Sequence, residues 1–194
     1  SGQALRVTLP GAQAVGTLVA IDVRYHGIPV SNEFGNFEFG SKCRDNAQTC
    51  ADTMRFAWSL SEPYGAREWW PCKDHPSDKA DSVRVTVTVP SQYRVGSQGL
   101  LVSEAVNGPN TTYDWLSHYP VASYLVSVAI GEYVRYQDTY VRSSALAGAY
   151  GPLSMPLDHL LYNDNSHDLP APLALTADVL DVEESWFGPY PFAN

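Results

Sequence analysis

The run SVRVTVTVP, residues 82–90, alternates without interruption. Val83, Val85, Val87 and Val89 fall on one face, and Arg84, Thr86 and Thr88 on the other. Extended backbone sends successive side chains to opposite sides, so a period of two in β-branched residues predicts a half-buried strand. Pro90 has no amide hydrogen for a ladder and stops it. The same period spreads outward in both directions. In residues 17–25, TLVAIDVRY, one face carries Thr17, Val19, Ile21, Val23 and Tyr25, and the other Leu18, Ala20, Asp22 and Arg24. Residues 100–106 and 111–116 flank Asn107-Gly-Pro-Asn110 and read as a hairpin. Residues 124–130 and 133–140 are two further strands parted by Gly131-Glu132, and residues 5–9 and 37–39 are shorter candidates. Short strands separated by Gly, Pro and Asn predict a mainly β fold, an antiparallel β-sandwich over residues 1–142.

The C-terminal part changes character. Residues 143–156 are small and aperiodic and read as a linker, and residues 157–162 as a strand. Asp168 is placed to cap a helix whose first turn holds Pro170 and Pro172. Leu175, Val179, Val182 and Trp186 form an apolar stripe at helical spacing, with Leu173, Ala177 and Leu180 beside it. Asp178, Asp181 and Glu184 are expected to face away, and Gly188-Pro189 to end the helix. Residues 157–194 therefore read as the opening of a second domain.

Composition narrows the function. Of the 194 residues, 44% are hydrophobic and 17% charged, enough to bury a core. A formal net charge of −9 disfavours nucleic acid and anionic membrane surfaces as partners. No apolar run is long enough for a membrane span. Ser1-Gly2-Gln3-Ala4 is not the start of a signal peptide and reads as a cloning remnant or as a start inside a longer protein. Cys43 and Cys50 bracket a polar loop and are a candidate disulfide in an oxidising compartment; in a reducing one they are two free thiols. The pair points toward an extracytoplasmic location, periplasmic or secreted. Cys72 is left over beside Trp70-Pro71 and is expected to be buried.

Active-site chemistry is incomplete. The five histidines, His26, His75, His118, His159 and His167, form no His-Glu-x-x-His. His159 and His167 with Asp164 and Asp168 are explained more simply as a polar loop than as metal ligands. Cys43 and Cys50 lack a second ligand pair for zinc, and there is no Gly-x-Ser-x-Gly elbow or phosphate-binding glycine loop. Asn110-Thr-Thr112 fits a glycosylation pattern but belongs to the hairpin turn. No catalytic and no metal-binding residue is assigned to this chain.

The stretch before the valine strand, SEPYGAREWWPCKDHPSDKADS at 61–82, is too punctuated for a helix and too polar for a buried strand. It resembles a segment of the aminopeptidase N family of zinc metallopeptidases, relatives of leukotriene hydrolase. That segment has the form Thr-Gln-x-Glu-x-x-x-Ala-Arg-x-x-x-Pro-Cys-x-Asp-x-Pro, then Lys-Ala and a Val-rich strand. Glu62, Ala66, Arg67, Pro71, Cys72, Asp74, Pro76, Lys79 and Ala80 fall at matching offsets. YPVASYLVSVAIGEY at 119–133 and ESWFGPYPFAN at 184–194 resemble later family segments in the right order.

The resemblance implies a saddle-like β-sandwich followed by the first strand and helix of a thermolysin-like catalytic domain, its partner on the same polypeptide. It implies zinc as the cofactor of the parent protein, bound downstream of residue 194, and peptide N-termini as the other partner. The family's matching role for Glu62 is to bind the substrate's α-ammonium; a simple turn contact with Arg67 is the alternative. Arg67 and Asp74 are expected to pin the loop through charge-assisted hydrogen bonds. Trp69, Trp70 and Cys72 are expected to fill the seam between loop and sheet, and Pro71 and Pro76 to fix the path. The family's Thr-Gln is Ser59-Leu60 here, which alters the neighbouring pocket. Family members usually have more strands before the one at residue 17, so the chain is expected to be short at the front and to leave a sheet edge unpaired. Two other readings compete: a stand-alone β-sandwich binding module with Trp58, Trp69 and Tyr64 as its platform, and an interaction scaffold whose parent has lost its zinc site.

Overall fold

The computed structural model describes residues 4–29, 31, 36–44, 50–163 and 170–192. Among them run β1 (Asn36–Cys43), β2 (Thr53–Leu60), β3 (Val83–Pro90), β4 (Arg94–Ser97), β5 (Leu100–Asn107), β6 (Asn110–Ser117), β7 (Val128–Gly131), β8 (Tyr133–Val141), α1 (Ser144–Tyr150), β9 (Ser154–Tyr162) and α2 (Pro170–Phe187). All pairings are antiparallel, in three sheets ordered β1-β2-β7-β4, β3-β6-β5 and β8-β9.

The first two sheets face one another across the core. Val89, Val95, Tyr113 and Trp115 are buried there, with Val85, Val87, Leu101 and Ile130 packed against them. The valine face of 82–90 thus points inward, and Arg84, Thr86 and Thr88 outward. The two core aromatics keep their polar atoms satisfied: Trp115 Nε1 donates to the Val95 carbonyl at 3.1 Å, and the Tyr113 hydroxyl to that of Tyr93 at 3.2 Å. The β5–β6 hairpin turns at Gly108-Pro109, between the paired Asn107 and Asn110.

Four expectations need correction. Residues 5–9 and 17–25 form no strand: they run irregularly, with Val19, Ile21, Val23 and Tyr25 exposed. Alternation alone does not make a strand; another edge must accept its backbone hydrogen bonds, and no described residue does so. Of residues 124–130 only Val128 onward is strand, because Ser123–Leu125 closes into a 3₁₀ turn. Residues 143–156 are not an unstructured linker. Ala145, Ala147 and Ala149 lie in α1, where alanine is the best helix former. β9 then starts at Ser154 and pairs with β8 over its full length, from Tyr133↔Tyr162 to Val141↔Ser154.

The fourth correction concerns α2. Leu175, Val179, Val182, Trp186 and Phe187 are exposed, whereas Glu184 is 2% exposed. Two side chains at the end of β8 decide this. Arg142 donates to Glu184 through Nε at 2.6 Å and through its terminal nitrogen at 2.8 Å. The Tyr140 hydroxyl lies 2.6 Å from Asp181 and 3.1 Å from Glu184, and Glu184 also accepts the Tyr190 amide at 2.8 Å. Asp181 and Glu184 therefore lie on the packed face, with half-buried Leu173, Ala177 and Leu180, while Asp178 faces away as expected. Gly188 ends the helix at φ +87°, its amide bonded to the Glu184 carbonyl at 3.0 Å. The Asp168 cap lies outside the described residues.

Cys43 and Cys50 are joined by a disulfide. Beside it, Arg44 reaches Asp52 at 2.8 Å, Glu132 at 2.6 Å and the Asn163 carbonyl at 2.7 Å, tying the end of β1 to the β7–β8 turn and the end of β9. Closing so short a loop stabilises by about 2–3 kcal/mol on the chain-entropy model. Reduction is expected to lower the melting temperature by about 4–10 °C, read by differential scanning fluorimetry with and without a phosphine reductant. An unchanged melting point would show that Arg44 holds the loop unaided.

Candidate functional site: the loop between β2 and β3

The loop leaves β2 after Leu60 and turns at once. Ser61 is 1% exposed and Ala66 0%, and these two residues anchor the turn. The Ser61 carbonyl accepts the Gly65 amide at 2.8 Å. Its hydroxyl accepts Trp69 Nε1 at 2.9 Å and lies 3.4 Å from the Asn36 carbonyl oxygen. Gly65 is required here, because a Cβ on it would sit 1.8 Å from Asn36 Oδ1. A single 3₁₀ turn, Ala66–Glu68, follows, and the amides of Trp69 and Trp70 return to the Ala66 carbonyl at 3.2 and 3.1 Å. Trp69 packs at a tilt against Phe37 of β1, ring centroids 5.4 Å apart, and against Trp70 at 6.0 Å.

Between those anchors Glu62 is exposed at the turn, joined to Pro63 by a cis peptide bond. Its carboxylate makes no hydrogen bond or ion pair with any described residue. Arg67, the partner weighed in the sequence, turns instead to Glu68 and Asp74, each at 3.5 Å from Nε. The Arg67–Asp74 contact is thus a long ion pair, and neither buried oxygen of Asp74 has a hydrogen-bond partner. Burial pushes the Asp74 carboxyl above its ordinary range, against the pull of Arg67. Trp70 buries its indole nitrogen without a partner. Cys72 is half-buried; desolvation, then the nearby Asp74, push its thiol up to about 11. It stays protonated at neutral pH and is a packing group, not a nucleophile.

Of the other two sequence segments singled out above, residues 119–133 meet this loop and residues 184–192 meet Tyr119. Ala80 and Val121 exchange backbone hydrogen bonds at 3.0 and 2.9 Å. Tyr119 in turn meets Phe192 edge-on at 5.1 Å. Ser59 accepts the Val128 amide at 3.0 Å, and Leu60 is exposed beside Glu62. The aromatic platform is not assembled: Trp58 and Trp69 are partly buried, and Tyr64 alone of the three is exposed. Among the described residues no three His, Cys, Asp or Glu side chains are placed to hold a metal ion, and His167, Asp164 and Asp168 lie outside them. No described helix is long and apolar enough to cross a membrane. Sequence reasoning missed Ser61, whose buried hydroxyl organises the turn; a lone serine before Glu-Pro carries no signal for that.

Fold and loop together define an antiparallel β-domain that presents an anchored acidic turn. Residues 2–125 match the Peptidase M1 N-terminal domain, and the chain belongs to that family. It is 32% identical over 80 residues to Aminopeptidase M1-D of Oryza sativa subsp. japonica, an alignment covering 41% of this chain and 9% of that protein. The M1 zinc metallopeptidase of Deinococcus radiodurans superposes with a TM-score of 0.60 at 29% identity, over 71% of this chain and 30% of that one. Its E323A mutant bound to a Tyr-Ser-Ala substrate matches at 28% identity with the same coverage and TM-score. The chain thus spans a minor part of the length of each relative.

Proposed function

We propose that this chain is the noncatalytic N-terminal domain of a zinc-dependent aminopeptidase, and that Glu62 supplies a carboxylate that binds the α-ammonium of the peptide. The observation that carries the reading is the exposed, unpaired carboxylate of Glu62 held between buried Ser61 and buried Ala66. An enzyme that removes terminal residues must tell a charged amine from an interior amide. A carboxylate does so by a charge-assisted hydrogen bond that no amide can match. Among the described residues no set of His, Cys, Asp or Glu is placed to hold zinc, and we assign the metal and the hydrolytic step to the catalytic domain of the parent enzyme. The exposed apolar face of α2 is the surface we assign to contact with that domain. The disulfide favours an extracytoplasmic setting.

The test uses the full-length parent protein, with bound zinc measured and hydrolysis of aminoacyl anilides followed. Glu62→Ala and Glu62→Gln are both expected to raise KM about tenfold or more, with the smaller part of the loss in kcat. Unchanged KM in both variants would remove Glu62 from substrate binding. A parent without zinc and without activity would favour the scaffold reading instead.

A further inference from the structure

A cavity of about 260 Å³ lies between β4, β5 and the β8–β9 hairpin, away from the Glu62 loop. Its apolar wall is built from Val95, Leu101, Trp115 and Leu160. Two glycines let the walls approach closely. Gly96 carries no side chain where a Cβ would meet Leu160 Cδ1 at 2.6 Å, and Gly99 carries none where the chain turns into β5. Four charged side chains also line it: Arg94, Glu104, Arg135 and Asp158. They form two opposite-charge pairs, and neither pair exhausts its members. Arg94 meets Glu104 through one nitrogen at 3.4 Å, a loose contact. Arg135 spends Nε and one terminal nitrogen on Asp158, both at 2.9 Å. A guanidinium has five N–H donors and a carboxylate about four lone-pair sites, so each pair can still accept a ligand group.

We propose that this cavity binds a small zwitterion with an apolar side chain, that is, a free amino acid. The ligand's carboxylate meets Arg94 and Arg135, its ammonium meets Glu104, and its side chain lies on Trp115 and Leu160. Size and charge select the class together. Pockets for drug-sized ligands start at about 300 Å³, so a peptide of several residues is too large. Two cations and two anions sum to zero, which favours a ligand that carries both signs over a simple anion or cation. Burial and then Glu104 push the Tyr113 hydroxyl upward, consistent with a carboxylate directed into this space. The inference does not depend on the role proposed for Glu62.

The test is titration of the protein with L-leucine, N-acetyl-L-leucine, L-leucinamide and leucylglycine, followed by the Trp115 indole N–H and Leu160 methyl resonances. L-leucine is expected to shift both signals saturably. The two blocked forms, each lacking one charge, and the dipeptide are expected to bind at least about tenfold more weakly. Glu104→Gln and Arg94→Gln, both at partly exposed positions, should each weaken L-leucine binding by a similar factor without altering the melting temperature much. Absence of saturable shifts at 20-millimolar-scale L-leucine (about that concentration, far above a useful Kd) would overturn the proposal. Equal binding of all four compounds, or variants that bind as the native protein does, would overturn it as well.

Discussion

Glu184→Ala is expected to melt roughly 6–20 °C below the native protein, the largest loss from any single side chain discussed here. The reason is what the change leaves behind. Arg142 is 7% exposed, and its guanidinium would keep only the Gly151 carbonyl, 2.8 Å from its other terminal nitrogen. The Tyr140 hydroxyl would lose one of two acceptors, and the Tyr190 amide its only one. Removing one member of a buried ion pair costs about 3–5 kcal/mol, because the remaining charge has no solvent to return to. Replacing both members, as Arg142→Met with Glu184→Leu, should recover most of the loss. Calorimetry on the single and double variants decides the matter. A single variant within a degree or two of native would mean that β8 and α2 are not coupled through this pair.

The same pair sets an acid limb. The hydrogen bonds from Arg142 hold the Glu184 carboxyl well below its ordinary range, at about 2, with burial opposing. A group whose pKa is depressed by folding stabilises the protein above its unfolded pKa, and that stability fades as pH falls through the folded value. The native protein should therefore lose stability between about pH 4.5 and 2. Glu184→Ala should lose less over that interval. A chemical-denaturation series across pH 5 to 2 with parallel curves for both proteins would rule out this assignment.

Gly99→Ala is the second large effect, expected to cost about 2–5 kcal/mol. Gly99 sits at φ +84°, and a Cβ there would come within 2.2 Å of the Leu116 carbonyl oxygen and 2.7 Å of the Ser117 amide. Those atoms are backbone, so the hairpin start must shift, and with it the wall of the cavity. Gly108 supplies the control. It also has positive φ, at +60°, but a Cβ there meets nothing within 4 Å. Gly108→Ala should cost only the left-handed penalty, about 1–2 kcal/mol. Comparable melting temperatures for the two variants would show that the Leu116 contact relaxes freely.

The β character of the chain was legible because its buried strands carry their own pattern. The four valines of β3, and Leu100 to Leu116 around Asn107-Gly-Pro-Asn110, give both the period and the turn without reference to anything distant. The anchored loop was legible as a site only through its resemblance to a family. Residues 17–25 misled for a physical reason: they alternate, less cleanly than β3, but a strand is a relation between two segments, and period says nothing about the partner. α2 misled for the opposite reason. Its apolar stripe pointed to burial of Leu175, Val179 and Val182, but Arg142, 42 positions before Glu184, and Tyr140 draw Glu184 and Asp181 inward instead. Spacing offered a faint signal, since Tyr140 and Arg142 share one strand face and Asp181 and Glu184 share one helix face. The charged lining of the cavity gave none, because its members come from β4, β5, β8 and β9.

The outward turn of α2 has an optical consequence. Of the five tryptophans, Trp186 is 79% exposed, while Trp115 is buried and Trp58, Trp69 and Trp70 are partly covered. Its emission should be the reddest of the set and the first to be quenched by iodide. Anything that settles on the Val179–Val182–Trp186 face will shift that emission to the blue and shield it from the quencher. The helix therefore carries its own label, and its covering can be followed in real time with no added dye.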